Sequence, residues 1–317
     1  MSDRHALPLA AIAALFSLTV AACGDDAKPT TTTPATTVTS VSASTPAAPA
    51  KAAAHPVAAT AVAVSARYED GEAAFRAGRY GDAEAVFAAY AERRPDSVFG
   101  HYMLGLSAWK AGDLARATDA FDKALALDST HVKSLLNSAR VYLELDQPDS
   151  ALARIDRALA VDSSSVDGLR LRARALATAS RIPEAIDAYR AALMLDEQDV
   201  WSLNNLGLIF IQQGDYEDAI GPLARAVELK GSSPVFHNNL GIALEGSRHY
   251  AAARDEFDRA LQADSTYAKA AVSRDRMQGL AENAPADTVD LGAKAEEFVQ
   301  QIRMWKAQGE QPDTAVR

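Results

Sequence analysis

Apolar residues recur at helical spacing along most of the chain, and from Val64 onward they recur in whole units. A small-x-x-x-large pattern returns as Ala83 and Phe87, Ala117 and Phe121, Ala151 and Ile155, Ala185 and Tyr189, Ala219 and Leu223, and Ala253 and Phe257, each step being 34 residues. Leu104-Gly105, Leu206-Gly207 and Leu240-Gly241 hold the same register, and residues 64–267 accommodate six units with no insertion. Fixed-period self-similarity of this size predicts a solenoid. Each unit reads as helix, turn, helix. Leu104, Gly105 and Ala108 share one face, Gly112-Asp113 breaks the pattern, and Ala117, Phe121 and Ala124 fall at i, i+4 and i+7 of a second helix. Asp128, Asp162, Asp196 and Asp264 close second helices, and Pro148 and Pro183 stand near second-helix starts, where a missing N–H costs nothing. Pro222 lies deeper and predicts a local kink. No segment alternates with period two, so an all-α chain is expected.

A 34-residue helix–turn–helix with Leu-Gly, then Ala-x-x-x-Phe, then Ala resembles the tetratricopeptide repeat (TPR), in six units: 64–97, 98–131, 132–165, 166–199, 200–233 and 234–267. The resemblance implies a TPR α-solenoid, a right-handed superhelix, with C-terminal capping helices. His101 and His237 stand where the family usually has a first-helix Trp, and Arg172-Ala173 replaces Leu-Gly in the fourth unit, which could mark a looser joint. Residues 268–280 read as a solvating cap helix, 281–289 as a linker, 290–308 as an amphipathic helix and 309–317 as a tail. The seam Leu291, Ala295, Phe298, Ile302, Trp305 suits a cap on the last repeat; folding over the concave groove and pairing with a partner helix are the alternatives.

Ahead of the repeats, residues 1–22 read as a secretory signal: Arg4 and His5 precede the apolar run Ala6–Ala22. Val20-Ala21-Ala22-Cys23 resembles the bacterial lipobox, which implies cleavage before Cys23 and its acylation. Gly24 follows the cysteine, and the expected address is the bacterial cell envelope, at the outer membrane facing the periplasm. Residues 24–63 contain 13 Ala, 9 Thr, 5 Pro and 3 Ser and no aromatic residue, the composition of a disordered tether.

Composition narrows the chemistry. A formal charge of −10 argues against a nucleic-acid surface, and one cysteine excludes an intrachain disulfide and any thiolate cluster. No two of the six histidines lie at i, i+4, and no nucleotide-binding, nucleophile-elbow or kinase pattern occurs, so neither an enzyme, a cofactor, a metal nor a small-molecule substrate is expected. Binding is left. The resemblance implies that first helices line a concave face, along which the sequence runs Tyr102, Leu106 and Trp109, then a basic middle of Lys133, Arg140, Arg170 and Arg174, then Asn204, Leu208 and Asn238, with Trp201 as a further anchor. Asn137, Asn205 and Asn239 share one repeat position; they either hold an extended peptide backbone, as family members' amides do, or are there for packing. The basic residues either clamp a carboxylate or pair with Glu144, Asp167 and neighbouring acids. The expected protein is a non-catalytic, lipid-anchored scaffold that binds extended segments of other envelope proteins. An assembly factor for a type IV pilus secretin or for outer-membrane proteins, and a self-associating structural protein, are the alternatives.

Overall fold

The computed structural model describes residues 67–281 and 289–309; Cys23, the lipobox and the tether lie outside them. Fourteen helices and no strand occur among the described residues. They are α1 Tyr68–Arg76, α2 Tyr80–Arg93, α3 Val98–Ala111, α4 Leu114–Leu127, α5 Val132–Glu144, α6 Pro148–Val161 and α7 Val166–Thr178. These are followed by α8 Ile182–Leu195, α9 Val200–Gln213, α10 Tyr216–Leu229, α11 Pro234–Gly246, α12 Tyr250–Ala263, α13 Ala268–Ala281 and α14 Leu291–Gly309.

The odd and even helices do different jobs. From α3 to α13 each odd helix packs on the next odd helix as well as on its even neighbours, whereas consecutive even helices are spread apart. The odd helices therefore form the inner, concave layer and the even helices the outer one. The step between the two helices of a unit is one residue with positive φ at a fixed register: Gly78, Gly112 and Gly214, but also Asp146, Ser180 and Arg248 at φ 56°, 60° and 68°. Only glycine enters that region without cost, so three of the six turns carry local strain.

Ala83, Ala117, Ala151, Ala185, Ala219 and Ala253 are fully buried, as are Phe87, Phe121, Ile155, Leu223 and Phe257. Glycine in the first helices permits the close approach: a Cβ on Gly207 would come within 2.4 Å of Leu223 Cγ. The two first-helix histidines each bond a backbone carbonyl of the preceding turn. Nε2 of His101 bonds the Pro95 carbonyl at 3.0 Å, and Nε2 of His237 bonds the Gly231 carbonyl at 2.9 Å, each tying a first helix to the turn six residues earlier. His237 goes further, since its Nδ1 meets the buried Glu256 carboxylate at 2.6 Å and Arg259 pairs with the other carboxylate oxygen. Both ring nitrogens face acceptors, an arrangement that the doubly protonated ring satisfies.

Pro222 stands inside α10, which runs on as one α-helix with the proline buried. One expectation is corrected: α14 neither caps the last repeat nor covers the concave groove. It lies on the outer layer against α10 and α8, while α13 alone closes the end against α12. Lys294 Nζ reaches Glu217 at 2.8 Å, Phe298 sits over Gly221, and Trp305 stacks on the Arg190 guanidinium at 4.9 Å. Arg303 meets Glu197 between α8 and α9 at 3.2 Å. Because 294 pairs with 217 and 298 with 221, α14 and α10 run in the same direction. A Cβ on Gly221 would lie 3.1 Å from Phe298 Cβ, so the glycine is the seat for that ring.

Candidate peptide-binding groove

The inner layer presents its first helices side by side, and the apolar residues facing the groove keep part of their surface exposed. Tyr102, Leu106 and Trp109 are half-buried on α3, and Phe99, one turn before Tyr102 on the same face, is 59% exposed. Both sides of α3 are thus apolar: one meets the core through Leu104 and Ala108, the other lines the groove. Phe99 and Tyr102 each meet the His131 ring edge-on, at 5.6 and 5.2 Å. Trp109 Nε1 donates to Glu144 at 2.9 Å, with the Lys110 ammonium over its ring. At the other end, Leu208 and Ile211 of α9 and Ile242 of α11 are half-buried, and Val272 of α13 continues the row with 66% of its surface exposed. Trp201 is half-buried, edge-on to Phe236 at 5.4 Å, and the Lys230 ammonium lies over its ring.

The polar residues of the same face behave differently. Asn137 donates to the Tyr102 hydroxyl at 3.2 Å and accepts from Arg140 at 2.9 Å. Arg140 forks onto Asp167 at 2.6 and 2.8 Å. Arg170 bonds Asp167 at 2.8 Å and Asp199 at 3.0 Å, and Asp199 in turn accepts from the Ser202 hydroxyl at 2.5 Å. One seam of side-chain hydrogen bonds therefore crosses α3, α5, α7 and the start of α9. A second continues from α11 to α8: Asn238 Nδ2 donates to Asn239, Asn239 to Asn204 at 2.8 Å, Asn204 to Asn205 at 3.1 Å, and Asn205 bonds the buried Tyr189 hydroxyl. Burial raises the Tyr189 hydroxyl far above its ordinary pKa against the pull of that bond and of Arg174 and Arg170, so it stays a neutral hydrogen-bonding group. Burial likewise raises Tyr102, against the opposing pull of Arg140 and the Asn137 bond.

The residues named from sequence thus divide into two sets. Tyr102, Leu106, Trp109 and Leu208 offer contact surface. Asn204, Asn238 and Asn239 are buried and tied to one another, Asn205 bonds Tyr189, and Asn137 bonds Tyr102 and Arg140, the last two amides keeping part of their surface exposed. Arg140 and Arg170 satisfy Asp167 and Asp199, the pairing alternative to a carboxylate clamp. Lys133 is exposed at the rim, and Arg174 is half-buried on α7. Sequence reasoning missed Phe99 and Val272, although both repeat the face periodicity of their helices, and it missed Asp199 as the partner of Arg170.

Family models described as tetratricopeptide repeat match residues 50–98, 68–132, 108–175 and 204–268, and one described as TPR repeat matches 173–214. No curated protein matches the chain in sequence. Among solved structures, Pseudomonas aeruginosa pilF is 21% identical with a TM-score of 0.53, covering 69% of this chain and 99% of that one. Cut9–Hcn1 of the APC/C is 16% identical with a TM-score of 0.57, covering 67% and 42%. MamA of Desulfovibrio magneticus is 22% identical with a TM-score of 0.48, covering 52% and 94%. At these identities the likeness to pilF and to Cut9–Hcn1 is one of fold.

Proposed function

The chain belongs to the tetratricopeptide repeat family, and from that premise we propose that it is a non-catalytic scaffold of the bacterial cell envelope whose concave groove docks extended segments of partner proteins. The observation that carries this reading is the inner face of α3, where Phe99, Tyr102, Leu106 and Trp109 line up with surface left open. Aromatic and aliphatic groups so arranged suit a binding surface, since aromatic residues are enriched among the few positions that carry most of the energy of protein contacts. In this reading Cys23 carries the lipid, residues 24–63 carry the repeats away from the bilayer, and the groove faces the periplasm. The fold shared with pilF brings no pilus role with it.

Two measurements test the proposal. Mass spectrometry of the mature protein should find an acylated N-terminal Cys23; an unmodified or uncleaved N-terminus removes the envelope anchor. A photo-crosslinking residue at position 106 in cells should trap a discrete partner that one at exposed Asp119, on the outer layer, does not. Identical products from both positions would remove the groove.

A further inference from the structure

The groove holds two apolar stations with an ionic septum between them. The first is Phe99, Tyr102, Leu106 and Trp109 on α3; the second is Leu208 and Ile211 on α9 with Ile242 on α11. Between them, on α5 and α7, groove-facing Arg140 and Arg170 meet Asp167 and Asp199 in one closed network. Within that network two guanidinium groups are matched by two carboxylates. A ligand carboxylate arriving there would have to displace Asp167 from its fork with Arg140, exchanging one charge-assisted pair for another while losing its own hydration. The septum therefore offers a charged anchor no unmatched partner and tolerates a neutral backbone. The amides that could have held that backbone are tied together further along, at Asn204, Asn238 and Asn239.

Resting on the groove reading above, we infer that the partner segment is extended, carries two clusters of large apolar side chains about eight residues apart, and has an uncharged polar stretch between them. The spacing follows from geometry. Three helix-to-helix steps separate α3 from α9, at about 8–10 Å each, and an extended chain advances about 3.3 Å per residue. Pairing in the middle of the groove sets the second half of the statement: with Arg140 and Arg170 already matched by Asp167 and Asp199, a terminal carboxylate gains nothing from those two groups, so recognition is apolar at both ends.

The test uses the full chain and end-capped fluorescent peptides with a Leu-Phe pair, a Ser/Thr spacer and a Leu-Ile pair, read by anisotropy. Spacers run from about two to about fourteen residues around the expected optimum. Affinity should peak near the middle of that range, at least about tenfold above peptides with one pair, because the second contact becomes intramolecular. Leu106→Ser or Leu208→Ser should each reduce the best peptide to single-pair affinity, with helicity unchanged by circular dichroism. Binding should vary little with salt and should not improve when the C-terminal cap is removed. Single-pair peptides binding as tightly as the best two-pair peptide, and losing that binding in Leu106→Ser, would overturn the two-station proposal while leaving the groove reading intact. Tighter binding of the uncapped peptide, lost at high salt, would also overturn it, by showing a working carboxylate clamp. If no peptide in the series bound the folded chain and position 106 trapped nothing in cells, both would fall.

Discussion

At single positions the repeat exposes where this chain departs from its own pattern, and those departures carry measurable costs. The turn register that holds Gly78, Gly112 and Gly214 holds Arg248 in one unit, at φ 68°. Arg248→Gly should raise stability by about 1 kcal/mol by relieving left-handed strain, read as an upward shift in thermal midpoint. Gly207→Ala should act oppositely, costing about 1–3 kcal/mol, because the added methyl meets the side chain of Leu223, which is fully buried. His237 offers a pH test. Burial pushes its pKa down, but the Glu256 carboxylate and the Gly231 carbonyl more than offset that, and the net shift is upward. A raised histidine stabilises the fold fully below its ordinary value near 6.5 and loses that contribution as pH rises through the folded value. Denaturation of wild type and Glu256→Gln should therefore differ most in mildly acidic buffer, with the gap narrowing toward alkaline pH. A gap that widens with pH would show that His237 is neutral.

Among the elements, α14 had the least predictable place. Its own seam, Ala295, Phe298 and Ile302, was legible as one apolar face, and those residues are indeed buried. The receiving surface was harder to read, because it is defined by what α10 lacks. On α4 and α12 the outward positions carry Asp119 and Asp122, and Asp255 and Asp258; on α6 and α8 one of the two is Asp156 or Asp187; on α10 they are Gly221 and Ala224, uncharged like Ala85 and Ala88 of α2. A missing charge gives no periodic signal, so periodicity located the helix and could not dock it. Gly221→Leu should eject Phe298 from its seat, and the amides of α14 should then exchange with solvent as fast as those of an isolated helix while α3 to α6 remain protected. The same contrast explains the groove. Apolar contact residues could be named from spacing because exposure of one helix face follows from burial of the other. Whether an arginine or asparagine reads a ligand or ties helices depends on partners 27 to 35 residues away, as with Arg140 and Asp167 or Asn204 and Asn239, and spacing along one helix does not contain them.

For the array as a whole, stability should be distributed unevenly. Most buried apolar residues from Leu125 to Ile209, with Ala226, Phe236 and the α14 residues Phe298 and Ile302, belong to one apolar cluster; Ala219 to Ala224 join α11, α12 and α13 in a second, and Ala74, Phe87 and Leu104 belong to a separate one at the N-terminal end. In a linear solenoid each repeat is held chiefly by its neighbours. Hydrogen exchange should therefore open α1 and α2 first and the units from α7 to α10 last, and denaturant should give more than one transition. A single transition with uniform protection would mean that the repeats unfold as one block.

The outer strap also limits how the array could change in length. α14 grips two second helices at once, through Glu217 and Gly221 on α10 and through Arg190 on α8. Duplicating a 34-residue unit between them would move those grips one repeat apart and leave Trp305 without its guanidinium. A duplication ahead of residue 166 would leave both grips in register. A repeat inserted between α8 and α10 should therefore cost the array its α14 contacts and lower its thermal midpoint, whereas one inserted ahead of residue 166 should keep them.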